Sequence, residues 1–71
     1  AIGYQTFYDC YNLRNIDFVN ATNLTTIGNN AFDRCINLRY AAGLENATNL
    51  ESIGQSAFRG CRLLNIDTLR L

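Results

Sequence analysis

The chain has 71 residues, of which 48% are hydrophobic, and its six basic and six acidic residues give no net charge. This length allows one small domain, and the hydrophobic share excludes the composition of a disordered segment. A neutral chain gives no electrostatic reason to bind nucleic acid, and no apolar run approaches the roughly 20 residues that cross a bilayer. Because the chain has no methionine and no signal-peptide pattern, we expect a processed product or a piece of a longer protein.

Three Ile-Gly pairs mark an internal repeat. They begin at Ile2, Ile27 and Ile53, so the second interval is one residue longer than the first. Each Ile is followed by a Phe and then a Cys at constant spacing, namely Phe7, Phe32 and Phe58, and Cys10, Cys35 and Cys61. A period of about 20–29 residues is typical of leucine-rich repeats, whose units bury their apolar side chains only by stacking. The sequence therefore predicts one segment over 1–71 with about three repeats, anchored at 2–18, 27–44 and 53–69.

The elements expected in chain order are short and extended. The alternation in 13–18 predicts a strand, and looser versions recur at 38–44 and 63–69. One extra residue within 39–45 predicts a local bulge. A second extended segment is expected at 24–27 and again at 50–53, and Gly28 and Gly54 then turn the chain. The stretches 29–35 and 55–61 are each expected to form one helical or 3₁₀ turn that directs its Phe inward.

The shared phrase is IG-x-x-(A/T)F-x-x-C-x-x-L-x-x-I, followed by L-x-x-IG. It resembles the BspA-like leucine-rich repeat, also called the Treponema pallidum-type repeat, and the resemblance covers nearly the whole chain. It implies an α/β fold, a right-handed curved leucine-rich-repeat solenoid with one short parallel strand per repeat on the concave side and little regular helix. It also implies an extracellular protein, either secreted or on the cell surface, with a role in adhesion.

The three cysteines are interpreted as small thiols that fill one core position in each repeat. Cysteines that lie a full repeat apart match no zinc motif, and the chain has no histidine to act as a ligand or a general base. The acidic residues are scattered, and no glycine-rich phosphate loop is present. We therefore expect no metal, no cofactor and no enzymatic activity.

The strand phase places alternate side chains on an outward, concave face. One predicted column contains Asn15, Tyr40 and Asn65, and the next contains Asp17, Ala42 and Asp67. Arg14 and Arg39 flank these columns. The face is interpreted either as a binding surface or as an ordinary solvated sheet face. Three N-glycosylation sequons, at Asn20, Asn23 and Asn46, would lie on an edge exposed to solvent.

Two functions remain open from the sequence. The first is a non-enzymatic interaction or adhesion module that binds a protein or a glycan through the predicted concave face. The second is a structural subunit whose copies stack end to end into a filament. It is suggested by the apolar terminal repeats, which lack the polar caps that usually close such a stack.

Overall fold

The computed structural model describes residues 1–65, which form short strands joined by tight turns. The strands are β1 (Asn15–Asp17), β2 (Thr26–Ile27), β3 (Tyr40–Ala42) and β4 (Ser52–Ile53), and a 3₁₀ helix spans Leu44–Asn46. Within residues 1–65 no α-helix is present. The expectation of little regular helix is confirmed, whereas the α component of the predicted α/β class is absent from this part of the chain.

The strands pair between consecutive repeats and always in parallel. β1 pairs with β3, and β2 pairs with β4, so the strands of residues 1–65 form two separate two-stranded sheets. A further parallel bridge joins Ile2 to Ile27, which extends the second pairing to the first repeat. The extended segments expected at 24–27 and 50–53 are thus confirmed. The prediction of one strand per repeat was incomplete, because β2 and β4 form a second set of paired strands in addition to β1 and β3.

Hydrogen bonds between backbone groups also join the turn regions of neighbouring repeats. Gln5 N–H donates to Asn29 O at 3.1 Å, and Phe7 N–H donates to Ala31 O at 2.8 Å. The same bonds recur between the second and third repeats, where Phe32 N–H donates to the carbonyl of Ala57 at 2.7 Å. Consecutive repeats therefore lie in register along most of their length, as a repeat fold requires.

The turn regions are not the helical turns predicted for 29–35 and 55–61. Amide groups there do bond three residues back, as in Asp33 N–H to Asn30 O at 3.2 Å. However, left-handed backbone recurs at two matched positions in every repeat. These residues are Gln5, Asn30 and Ser56 at φ 54–58°, and Asp9, Arg34 and Gly60 at φ 60–75°. A left-handed residue ends a right-handed helix, so each region becomes a series of tight turns.

Gly43 is the extra residue of the second repeat. From the pair Ile2 and Ile27 to the pair Asp17 and Ala42, the two partners are separated by a constant number of residues in the sequence. From the pair Thr26 and Ser52 onward, this separation is one residue longer. Gly43 has φ 81°, and a Cβ there would lie 2.7 Å from the amide nitrogen of Val19. Glycine is the residue that fits such a position. The bulge predicted within 39–45 is confirmed and is located at Gly43.

The Ile-Gly glycines allow the repeats to approach closely. A Cβ on Gly28 would lie 2.7 Å from the carbonyl carbon of Gly3 and 2.8 Å from the nitrogen of Tyr4. A methyl group at that position would overlap the backbone of the preceding repeat. The recurring glycine is therefore explained by backbone contact between neighbouring repeats.

The core is a set of columns in which like side chains lie over like. Phe32 stacks on Phe7 and on Phe58, with both pairs of ring centroids 5.1 Å apart and nearly parallel. Phe18 meets the ring of Phe32 edge-on at 6.5 Å. Phe32 is 1% exposed, whereas Phe7 in the first repeat is 36% exposed. The predicted inward position of the phenylalanines is confirmed, and the middle repeat is the best covered.

Leucine fills a second column, and the structure selects Leu64 for the third repeat. Leu13, Leu38 and Leu64 each donate an amide hydrogen bond to the cysteine carbonyl three residues earlier. Leu64 packs against the buried core, whereas Leu63 is 45% exposed. The strand predicted for 63–69 therefore cannot begin with Leu63 facing inward, and its remaining positions lie outside the described residues.

Candidate binding face

The outer face of the β1–β3 sheet, here called the sheet face, carries polar side chains from both repeats. Asn15 lies opposite Tyr40, Ile16 opposite Ala41, and Asp17 opposite Ala42. The outward residues are exposed, with Tyr40 at 49%, whereas Ala41 is fully buried. The predicted in–out alternation is therefore correct, and the first two rows of both predicted columns are brought together. The sheet face is defined by the outward strand residues Asn15, Asp17, Tyr40 and Ala42, together with the exposed residues Arg14, Arg39 and Asn65, which share the backbone ladder next to the strands.

Arg14 and Arg39 lie side by side at one edge of the sheet face. Arg39 N–H donates to the carbonyl of Arg14 at 2.8 Å, and Asn65 N–H donates to the carbonyl of Arg39 at the same distance. Asn65 thus follows the two arginines in the ladder. Its predicted place in the column of Asn15 and Tyr40 was wrong by one residue, because the residue added at Gly43 lengthens the second repeat and shifts the register of the third.

Asp17 lies on the sheet face but does not neutralise the arginines. Its Oδ1 accepts a hydrogen bond from Val19 N–H at 2.9 Å, which holds the carboxylate over the turn that follows β1. Asp17 lies opposite the small side chain of Ala42. Within residues 1–65, the ion pair that forms joins Arg59 to Asp33, away from this face. The sheet face therefore has positive charge at one edge and negative charge at the other.

The remaining predicted site residues lie elsewhere. Asp67 falls outside the described residues. Asn20, Asn23 and Asn46 are exposed, which leaves their glycosylation a prediction. Asn23 occupies the position that Asn49 holds in the next repeat, where the Nδ2 of Asn49 donates to the carbonyl of Thr22 at 2.7 Å. Asparagine at this position thus has a structural role between repeats that the sequon pattern did not indicate.

An ion pair between repeats, which joins a buried carboxylate to an exposed arginine, was not predicted from the sequence. Asp33 is fully buried, and its carboxylate accepts bonds from Arg59 Nε at 3.1 Å and from an Arg59 terminal nitrogen at 2.7 Å. Asn30 Nδ2 donates to the same carboxylate at 2.8 Å. The hydrogen bond from Arg59 is the main cause of the lowered pKa of Asp33, and it outweighs burial, which acts to raise that pKa. Asp33 and Arg59 lie one repeat apart in sequence, which was the available signal.

The cysteines are free thiols in the core column that the sequence predicted. The Sγ of Cys35 donates to the carbonyl of Phe7 at 3.1 Å, and the Sγ of Cys61 donates to the carbonyl of Phe32 at 3.0 Å. Burial raises the pKa of the Cys35 thiol and raises that of Cys61 to about 11. Both thiols are therefore poor nucleophiles near neutral pH. Residues 1–65 contain no group of three side chains able to hold a metal ion.

The fold and the sheet face define a class of repeat protein whose units are short strands and tight turns. The chain belongs to the BspA-type leucine-rich repeat family: the family described as "BspA type Leucine rich repeat region (6 copies)" matches residues 1–70. This confirms the resemblance seen in the sequence. The family indicates an interaction or adhesion repeat and is generally non-enzymatic.

No curated protein and no solved structure matches the chain significantly. In the part of the chain that the structure describes, no helix is both long and apolar enough to cross a membrane.

Proposed function

We propose that the chain is a segment of a leucine-rich-repeat solenoid in a secreted or cell-surface protein, where it binds a protein or glycan partner without enzymatic activity. The three repeats over 1–71 form a single solenoid segment, and the sheet face is its concave binding surface. The observation that supports this most is the parallel register of β1 and β3. It brings exposed side chains that are one repeat apart in sequence next to each other on one face.

The composition of the sheet face supports recognition. Tyrosine and arginine are the side chains most often found at energetic centres of interfaces. Tyr40 is about half exposed, and Arg39, the residue that precedes β3, is also exposed. A partner of standard size buries about 800 Å² on each side, so a protein ligand would also use neighbouring repeats of a longer array.

The sheet face is tested by removing its two types of anchor together. The variant Arg14→Glu with Tyr40→Ala leaves the backbone pairing in place and changes only exposed side chains. Arg62→Glu is the matched control, because Arg62 is also exposed but lies outside the sheet face. Wild-type chain and both variants are screened by surface plasmon resonance against extracellular-matrix proteins and a glycan array. We expect binding to be lost in the double variant and kept in the control. Binding that the double variant retains would refute the assignment of this face.

A second candidate function is structural assembly, favoured by the surface of the first repeat. An apolar hollow of about 420 Å³ lies there, lined by Ile2, Phe7, Leu13, Asn15, Ile16, Asp17, Phe18 and Phe32. The equivalent surface of the second repeat is covered by the third. Either another repeat of the same protein or a further copy of the chain would fill this hollow in the same way.

Assembly is tested by light scattering and negative-stain imaging of the 71-residue chain over a wide concentration range. Rods that lengthen with concentration would support end-to-end stacking. Discrete particles of one chain at every concentration would refute it and leave the recognition role unaffected.

A further inference from the structure

We propose that the first repeat binds the third repeat of a second copy of the chain, in the same register that joins successive repeats within one chain. The surface involved is the side of the first repeat that faces away from the second repeat, here called the open side. This inference rests on the second candidate function, because it names the partner in the assembly and the contacts that fix its position.

Gly3 occupies a position where glycine serves contact with a preceding repeat. A Cβ on Gly28 would lie 2.7 Å from the carbonyl carbon of Gly3, and a Cβ on Gly54 would lie 2.6 Å from that of Gly28. Within residues 1–65, a Cβ on Gly3 would meet only Oγ1 of Thr6, at 3.3 Å, and the φ of Gly3 is not positive. This part of the chain therefore does not require glycine at position 3, whereas a repeat stacked on the open side would require it.

The cysteine column shows the same pattern. Cys35 and Cys61 each donate a hydrogen bond from Sγ to a phenylalanine carbonyl of the preceding repeat, at 3.1 Å and 3.0 Å. Cys10 is the equivalent thiol of the first repeat and is partly exposed. In the proposed contact, the Cys10 thiol donates to the carbonyl of Phe58 in the second copy, because Phe58 holds the equivalent position in the third repeat.

Asn12 is a third residue whose equivalent contacts the preceding repeat. Asn37 Nδ2 donates to the carbonyl of Tyr11 at 2.6 Å, and Asn12 occupies the position of Asn37 one repeat earlier. Arg62 holds the position of Tyr11 in the third repeat, so its carbonyl can accept the same bond from Asn12 of another copy. Asn12 is exposed, which leaves its amide accessible to such a partner.

The apolar columns end at partly exposed side chains in both outer repeats. Phe32 of the middle repeat is 1% exposed, whereas Phe7 is 36% exposed and Phe58 is partly exposed. Likewise, Cys35 and Leu38 are fully buried, and their equivalents in the outer repeats are partly exposed. In the proposed contact, Phe58 of one copy stacks on Phe7 of the next, as neighbouring rings do within the chain. Burial of this apolar surface would drive the association.

The charges of the two surfaces are compatible with this contact. Within residues 1–65, the charged residues of the first and third repeats lie at different repeat positions, so stacking sets no like charges over one another. Arg59 instead takes the position next to Tyr8 of the other copy. The Tyr8 ring already accepts a cation within the chain, because the guanidinium carbon of Arg34 lies 5.9 Å from its centroid.

Because the contact joins two different surfaces, each added copy presents a new open side, and the assembly grows without closing. The test is sedimentation velocity of the 71-residue chain over a wide concentration range. The test variant is Gly3→Ala, whose methyl group would overlap the backbone of the second copy as a Cβ on Gly28 overlaps that of Gly3. Ala42→Val is the matched control, because it adds methyl groups at an exposed position of the middle repeat. Circular dichroism verifies that both variants fold.

We expect the sedimentation coefficient of the wild type to rise continuously with concentration. Gly3→Ala should weaken the association by roughly tenfold or more, because close-packed backbones tolerate an added methyl group poorly. Ala42→Val should associate like the wild type. In a mixture, Gly3→Ala should shorten wild-type assemblies, because its third repeat still binds an open side while its own open side accepts no further copy.

Three results would overturn the inference: single chains at every concentration, assembly that stops at a dimer, or Gly3→Ala that associates as strongly as the wild type. The last result would leave assembly through other contacts as the second candidate function. Binding by the sheet face is measured separately in the resonance screen, so none of these results would decide the recognition role.

Discussion

Removal of the central phenylalanine tests the stacked core quantitatively. Phe32 is 1% exposed and contacts three other rings, whereas Phe7 is 36% exposed and stacks on one. Truncation of a buried Phe to Ala costs about 3–5 kcal/mol. Phe32→Ala should lie in that range, at about 4 kcal/mol. Phe7 buries only about two-thirds of its surface and has one ring contact, which is worth about 0.5–1.5 kcal/mol. We therefore expect Phe7→Ala to lower the free energy of unfolding by about 2 kcal/mol.

The difference of about 2 kcal/mol corresponds to roughly a 30-fold change in the folding equilibrium. Urea denaturation followed by circular dichroism measures it, and tyrosine fluorescence provides a second probe because the chain has four tyrosines and no tryptophan. A chain of this size has little stability to spare, so Phe32→Leu is measured as a milder variant. It should cost about 1–2 kcal/mol through the lost ring contacts. A Phe7→Ala chain as unstable as Phe32→Ala would refute the reasoning, because it would show that the two rings are equally covered.

Three further predictions concern the contacts between repeats. Gly28→Ala should lower the free energy of unfolding by about 1–3 kcal/mol, because the added methyl group overlaps the backbone of the first repeat. Gly3→Ala should change the free energy of unfolding by less than about 0.5 kcal/mol. Equal effects of the two variants in urea denaturation would contradict the close approach of the repeats at Gly28. The raised pKa of Cys61, about 11, predicts that iodoacetamide alkylates it in the folded chain at pH 8 far more slowly than in urea, as measured by mass spectrometry; equal rates would contradict this. Arg59→Gln should destabilise the chain at pH 7. The pKa of Asp33 is lowered in the folded chain, so the stabilisation that the ion pair provides is fully present at pH values above 3.8, the usual pKa of this carboxyl group. That difference from the wild type should shrink as the pH falls through the lowered pKa, and a difference that does not change with pH would exclude this ion pair as its cause.

The columns of the core were predictable from the sequence because they recur in phase. Ile, Phe and Cys return at constant spacing, and side chains that match in spacing must lie over one another when the repeats stack. The same argument placed Asn15 and Tyr40 on one exposed face, because alternate residues of a strand point to opposite sides. The first two rows of the candidate face thus followed from the repeat alone.

Features that differ between repeats were harder to predict. Asn65 was assigned to the wrong column because the position of the added residue decides the register, and only the left-handed backbone of Gly43 fixes that position. The left-handed turns at Gln5 and Ser56 carry neither glycine nor asparagine, so residue type did not indicate them. Asp33 and Arg59 are different residues at equivalent positions of two repeats. The identical residues that mark the repeat therefore do not indicate this ion pair.

The most direct test of the stacked repeats is nuclear magnetic resonance of the folded chain in solution. The structure predicts contacts between backbone protons of Ile16 and Ala41, and of Ile27 and Ile53, together with contacts of the Phe32 ring with both Phe7 and Phe58. Nuclear Overhauser effects across all four pairs would confirm that each repeat lies in register on its neighbour. A folded chain that lacks them, or in which Phe7 contacts Phe58 directly, would contradict the account.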